Sequence, residues 1–482
     1  MTLTVYLLRK GAFAIFTFLS AGTLLHAQSE TIKVELKLKT GGALSGLVVD
    51  STDHGLVVVD GTTPHVFAWL ELQPVSAFET RKRILQREKK EQETLIAEDH
   101  RQLGLFALKI GNRDLAHREF AEATQLDPSL KPLVQEIWSD YRKKKTRTDQ
   151  ARNEDQRFEA SPDSPPDSTN DQSHTDPSMD LSSALTSVTS IDPLSVVQEA
   201  PPDTQKTVLE IYRTFGHKVR EVISKNIELI ETDHFLIWTD WSARSRPQLA
   251  QSCESMYSAL CHQFDLDPAR NIFLAKCPIF CFRAKSRFKQ FARYFDGFDA
   301  SDSLGYTRSI ESQGHVHMVL LRQGDDPSDF ERFSATLVHE GTHAFIHRLH
   351  STRLIPHWVN EGCADLMAER VLGNECFTGE NSDLLARQFV RYDWPINKLL
   401  RSTEPIAVNE YPLAQSVINY LDQTDPVALR HLIRELKEGR TVAEAVESCY
   451  NGTNLTSLES GWRDWVRRRD VFFSKDAGAP PP

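Results

Sequence analysis

The feature that most constrains this chain is a stretch that cannot fold. From residue 144 to 204 it runs through Ser161-Pro162-Asp163-Ser164-Pro165-Pro166-Asp167 and on through Ser, Thr, Asp and Asn with few apolar side chains. Such a segment buries too little surface to offset its ordering entropy, so a disordered linker is predicted over 144–204. It divides 482 residues into two foldable stretches, as expected for a length beyond one ordinary core. The composition, 40% hydrophobic and 26% charged, is that of a globular protein. A formal net charge of -11 leaves no basic surplus to neutralise phosphates, which excludes nucleic acid as the main partner.

Ahead of the linker, Arg9 and Lys10 precede an apolar run from Gly11 to Leu25, and the small residue Ala27 follows. This is the pattern of a secretory signal over residues 1–27 and predicts a secreted or periplasmic protein. The run is short for a membrane span, which needs about 20 apolar residues; the alternative is an uncleaved signal anchor, with no other membrane contact. Residues 31–80 alternate, with Ile32, Val34, Leu36 and Leu38 between charged neighbours, then Leu44–Val49, Leu56–Val59 and Val66–Leu70. A small SH3-like or Sm-like β barrel is expected there. Residues 81–143 read as helical. A charged helix covers 74–100, and Leu103, Gly104, Ala116, Phe120, Ala123 and Pro128 follow at the spacing of one helical hairpin. Residues 97–130 resemble a single tetratricopeptide repeat. Barrel and hairpin are candidate contacts for a protein partner.

The remainder, 205–474, alternates α and β signals, so the fold class expected is multidomain α+β. Strands are predicted at His234–Trp238, Ile272–Leu274, Ile279–Phe282 and Val316–Leu321, and a helix carries Leu249, Cys253, Met256, Leu260 and Phe264 on one face. His315 and His317 share one face of a strand, either a polar edge or a separate metal site. Of the seven cysteines, Cys253 and Cys261 lie about 12 Å apart along one helix, too far to bridge. The others are open to disulfides or to plain burial.

The chemistry concentrates in Val338-His339-Glu340-Gly341-Thr342-His343. Ser328 and Glu331 are spaced as a capping box for the helix that carries it. On a helix, residues four apart share a face about 6 Å apart, so His339 and His343 can reach one tetrahedral ion. Glu340 is rotated by about 100° and can act on a water without ligating the metal. Gly341 inside a helix costs about 1 kcal/mol relative to Ala and points to a close packing need. His347 and His350 lie about 12 and 16 Å along the axis from His339, beyond one ion's reach. Seventeen residues separate His343 from Glu361, in Pro356-His357-Trp358-Val359-Asn360-Glu361-Gly362-Cys363-Ala364-Asp365. Pro356 starts a second helix near Trp358, with Glu361 and Asp365 one turn apart.

H-E-x-x-H followed by W-x-x-E-G-x-A-D resembles the gluzincin metallopeptidases, in particular peptidase-MA-like domains. The resemblance covers residues 205–474 and implies a zincin-like catalytic domain holding one Zn2+ per chain. It implies Glu361 as third metal ligand, Asp365 orienting a ligating histidine from behind, and Glu340 as general base in hydrolysis of a peptide or protein substrate. It also implies an oxyanion donor beyond the third ligand, for which Tyr411 is the candidate and Tyr420 the competitor. The strand 314–321 is similar to the zincin edge strand that pairs with extended peptides. Two alternatives stand beside this: a non-catalytic zinc-containing scaffold, and an amidase acting on cell-wall peptides. Glu340 favours an enzyme, because a structural zinc site has no use for that carboxylate.

Overall fold

The computed structural model describes residues 4–7, 32–39, 41–52, 55–61, 63–89, 95–142, 181–301, 303–322, 324, 327–373, 378–407 and 410–476. The chain divides into two compact units, one of Gly11–Gln150 with Asp383–Tyr392, the other of Met1–Lys10, Ala151–Ser382 and Asp393–Pro482. The fold is mixed α+β, as the sequence implies. The leader predicted over 1–27 lies outside the described residues except for Thr4–Leu7, which form strand β1.

In the first unit, β2 (Ile32–Lys37), β3 (Ala43–Ser51), β4 (Gly55–Asp60) and β5 (Thr63–Ala68) make an antiparallel sheet in chain order. Strand alternation aligns Val34, Leu36, Leu44, Val48, Leu56 and Val58 in one core. Helices α1 (Pro74–Glu88), α2 (Ala97–Lys109) and α3 (Arg113–Leu126) contribute Phe78, Leu103, Phe106, Ala116 and Phe120 to the same core. The apolar face is therefore covered by helices, and among the described residues the sheet does not close into a barrel. The single helix expected over 74–100 is two: the Asp99 carboxylate accepts from Ile96 N–H and caps a fresh start at Ala97. Helices α2 and α3 form the expected hairpin. Gly104 is its contact point, since a Cβ there would lie 2.6 Å from the Phe120 ring. Helix α4 follows over residues 131–142.

Part of the stretch expected to be a disordered linker, 144–204, is folded. Residues 143–180 lie outside the described residues, but α5 (Leu181–Thr186) is folded, and Leu181 and Leu185 are buried against Val208 and Tyr212 of α6 (Pro202–Val222). Two leucines four apart supply an apolar stripe that the polar average of the segment conceals.

The second unit is built on a six-stranded sheet ordered β1-β9-β10-β8-β7-β6. Its strands are β6 (Glu228–Glu231), β7 (Phe235–Thr239), β8 (Cys277–Phe282), β9 (Gly305–Ile310) and β10 (His315–Leu321), with β1 antiparallel to β9. Strands β7, β8 and β10 are parallel, while β9 runs antiparallel to β10. The strand 314–321 is thus interior, paired on both sides, and β9 lies outside it. No strand forms at 272–274. There the Tyr257 hydroxyl accepts from Ile272 N–H and Asn271 Oδ1 from Phe273 N–H, side chains that take over the bonds a ladder needs.

Alternation sends Leu236, Trp238, Phe280, Phe282, Val319 and Leu321 into a core with α6 and α8 (Lys285–Phe291). The opposite face receives α7 (Arg246–Gln263) and α9 (Pro327–Arg348). Helix α9 already includes Ser328, so that residue lies inside the helix instead of capping it. Pro327 is well suited to a first turn because its missing N–H has no helical partner anyway. After α9 come α10 (His357–Leu372), α11 (Thr378–Arg391), α12 (Asn397–Leu400), α13 (Tyr411–Thr424), α14 (Pro426–Lys437), α15 (Val442–Cys449) and α16 (Leu455–Asp476). Asp383–Tyr392, which takes in most of α11, belongs to the first unit, where Gln388 Nε2 donates to Asp50 Oδ2 at 2.7 Å. Among the described residues no disulfide forms, and Cys253, Cys261, Cys277, Cys281 and Cys363 are buried thiols. No described helix is long and apolar enough to cross a membrane.

Candidate metal centre

Two helices carry the site, and two glycines let them and their neighbours approach. A Cβ on Gly341 would lie 2.0 Å from Met256 Sδ of α7. A Cβ on Gly362 would lie 2.7 Å from the Ala414 carbonyl oxygen of α13. Both positions need the absence of a side chain despite the helix-propensity loss. The approach leaves His339, Glu340, His343 and Glu361 between 0% and 3% exposed, a concentration of buried polar groups that is costly unless they serve one another or a ligand.

His339, His343 and Glu361 come together as a group able to hold a metal. His339 Nε2 is 3.1 Å from His343 Nε2, and Glu361 Oε2 is 3.3 and 3.5 Å from the two. Donors bound at 2.0–2.1 Å around a tetrahedral ion stand about 3.3 Å apart, so the triangle has the right edge. Asp365 Oδ1 is 2.9 Å from His339 Nδ1. An ionised carboxylate only accepts, so Nδ1 carries the proton and Nε2 presents its lone pair to the centre of the triangle. The expected places of His339, His343, Glu361 and Asp365 are therefore all in one cluster.

The buried charges of the cluster shift one another. Burial raises the Glu361 carboxyl, but the neighbouring His343 and His339 outweigh it and hold it well below the usual range. Burial likewise lowers His339, and Asp365 with Glu361 more than reverses that. Glu340 is raised, by burial first, with partial relief from His339, His343 and a Thr307 hydrogen bond. Its Oε2 accepts from Thr307 Oγ1 at 2.9 Å. Its Oε1 is buried with no hydrogen-bond partner among the described residues. An orphaned carboxylate oxygen on Glu340, beside a His, His, Glu donor triangle, fits a zinc ion and the water or substrate that accompanies it.

Tyr411, the first residue of α13, lies at the cluster: burial first, then the charges of Glu361, Asp365 and Glu340, raise its hydroxyl well above its ordinary value. Tyr420 does not; its ring packs on Trp465 of α16 at 5.9 Å. His347 is buried apart from the triangle with both ring nitrogens unpartnered among the described residues, and His350 pairs with Glu438 at 3.0 Å. Cys363, two residues after Glu361 on α10, is a buried thiol. Burial pushes its thiol up to about 12, a poor starting point for redox chemistry.

His315 and His317 lie on neither a solvated edge nor a metal site. Asp296 Oδ2 accepts from His317 Nε2 at 3.2 Å, His317 Nδ1 from His315 Nε2 at 2.9 Å, and His315 Nδ1 from Tyr212 OH at 2.9 Å. Because Asp296 can only accept, every proton in this buried chain points the same way and both rings are fully used.

Two further residues at the metal cluster are Thr307 and His357, neither of them singled out from the sequence. Thr307 arrives from β9, far from the motif, and only the sheet order brings it to Glu340. His357 stands four residues before Glu361, one turn away, with Nε2 3.3 Å from Glu361 Oε1 and Nδ1 accepting from Ile406 N–H at 3.3 Å; its i, i+4 spacing to the ligand was a usable clue. No protein-family model matches the chain, and no curated protein matches it.

Proposed function

We propose that the second unit is a gluzincin-type zinc metallopeptidase that hydrolyses peptide bonds outside the cytoplasm, with one ion per chain. The observation that carries the reading is the triangle of His339 Nε2, His343 Nε2 and Glu361 Oε2, with Oε1 of Glu340 left buried and unpartnered in the same cluster. A zinc ion held there supplies Lewis acidity toward a scissile carbonyl and toward water. Glu340 takes a proton from the attacking water at Oε1 and returns it to the leaving nitrogen. Burial of the cluster keeps bulk water from competing for these groups and strengthens each charge interaction. Tyr411 is the donor for the carbonyl oxygen as it gains charge. Asp365 keeps His339 in the tautomer that presents Nε2.

Strand β9, not β10, is the one whose outer edge suits pairing with an extended peptide, once residues 4–7 are removed with the leader. Export rests on the charged, apolar and small-residue pattern of residues 1–27. The N-terminal sheet and hairpin are proposed as the contact for a protein partner.

The test is Glu340→Gln in the zinc-loaded protein, which keeps size but removes the base. Zinc content and melting temperature should match the wild type, while hydrolysis of a peptide library falls by at least about 10²-fold. Equal cleavage by both proteins would refute the mechanism. Zinc binding with no cleavage by the wild type would favour the scaffold, and cleavage restricted to cell-wall peptides the amidase.

A further inference from the structure

Glu340 is held from one direction only, and the group that holds it belongs to the sheet. Thr307 Oγ1 lies 2.9 Å from Glu340 Oε2 and 2.9 Å from the Glu340 carbonyl oxygen. A hydroxyl has one proton to donate, and the bond to a carboxylate is the stronger of the two. Oε2 is therefore committed to Thr307 while Oε1 has no partner among the described residues. A glutamate has three soft torsions, and one fixed oxygen determines where the other points.

The strand that delivers this hydroxyl is itself fixed on both faces. Toward α9, Gly305 opens the space for the glutamate stem, because a Cβ there would stand 2.5 Å from Thr336 Cγ2 and 3.2 Å from Glu340 Cγ. On the opposite face the two neighbours of Thr307 are tied to one carboxylate. Tyr306 OH donates to Asp296 Oδ2 at 2.6 Å, and Arg308 Nη1 to Oδ1 at 2.7 Å. Asp296 is in turn the terminus of the one-way chain through His317, His315 and Tyr212. A buried, fully satisfied network of this kind holds a single geometry.

We infer that Thr307 is a positioning residue that aims Oε1 of Glu340, with the Asp296 clamp on Tyr306 and Arg308 holding it in place. The inference rests on the proposed role of Glu340 as base. A misplacement of about 1 Å at such a group costs on the order of 10²-fold in rate, so the hydroxyl has a kinetic consequence that a mere packing contact lacks.

The experiment uses the full zinc-loaded chain with Thr307→Val, Thr307→Ser and Thr307→Val combined with Glu340→Gln, together with crystal structures of wild type and Thr307→Val. Thr307→Val should lower kcat by about 10- to 100-fold, leave KM within about twofold and keep the zinc content. Thr307→Ser, which keeps the hydroxyl, should recover most of the rate. In the Glu340→Gln background Thr307→Val should cause no further loss, and the crystal structure of the Thr307→Val single variant should show the Glu340 carboxylate turned from its wild-type direction. An unchanged kcat, an equal loss in the Glu340→Gln background, or an unmoved carboxylate would each overturn the inference. If the wild type cleaves no peptide, the proposed function fails, and the two crystal structures still decide whether Thr307 aims Glu340.

Discussion

Replacing Gly362 by alanine probes how the site is assembled, and its sign is not what helix propensity suggests. On a helix interior, Gly→Ala alone stabilises by about 1 kcal/mol. At this position the new Cβ would stand 2.7 Å from the Ala414 carbonyl oxygen, 2.7 Å from Ile418 Cγ1 and 2.8 Å from the Ala414 carbonyl carbon. Ordinary carbon–oxygen contacts begin near 3.3 Å, so α13 must retreat from α10 by about 0.6 Å. The obstacle is helical backbone, which cannot rotate aside as a side chain does, so the upper part of the usual overpacking cost of about 1–3 kcal/mol applies. The net is a loss of about 1–2 kcal/mol, or some 2–8 °C in melting temperature for a domain of this size. Function should suffer with stability. Helix α13 also carries Tyr411 at the Glu361 carboxylate and Gln415, which donates to Glu369 Oε2 at 2.7 Å. Calorimetry of Gly362→Ala, with zinc titration in parallel, measures both. A melting temperature equal to or above the wild type would show that the two helices separate freely, and the account of the interface would be wrong. Gly341→Ala is the internal control: its obstacle is the Met256 thioether, which can change rotamer, so its cost should be smaller.

His339→Ala, His343→Ala and Glu361→Ala should each strip zinc from the purified protein by elemental analysis, and Asp365→Asn should weaken binding by about 10- to 100-fold; full occupancy in Glu361→Ala would point to another third ligand. Mild proteolysis should cut first within 143–180 and release a zinc-bearing fragment that begins before Leu181. A protein starting at residue 205 should be less stable than one starting at 181 by about 3–5 kcal/mol, for the two leucines Leu181 and Leu185 that it lacks; equal denaturation midpoints would show that α5 does not dock. Hydrogen bonds from His234 and Thr232 outweigh burial and lower Glu254 from 4.5 to about 2. A depressed carboxylate stabilises fully above its unfolded pKa and loses that contribution as pH falls toward the folded one. Glu254→Gln should therefore be destabilised relative to wild type above about pH 4.5, with the difference closing toward pH 2; a gap independent of pH over that window would refute the charge-based account.

What the sequence by itself determined is whatever a short periodicity encodes. Four-residue spacing on one helix is enough to place His339 and His343 together and Glu340 beside them, because 3.6 residues per turn leaves no freedom. Two-residue alternation likewise predicts strands β2 to β5, and two helical turns predict the α2–α3 hairpin. Glu361 and Asp365 were legible through their own helical spacing and a resemblance, since the distance between two helices is written in no local pattern. Tertiary structure alone decided the rest. It made 315–321 an interior strand, because register and neighbour choice depend on which edges remain open after the whole sheet forms. It folded α5 out of a polar stretch, because two leucines find a core made by residues far along the chain. It gave Gly341 and Gly362 their reasons in Met256 and Ala414, and it carried Thr307 across from the sheet to Glu340. Each of these is a contact between segments distant in sequence, where the outcome depends on packing geometry that no single window of residues contains.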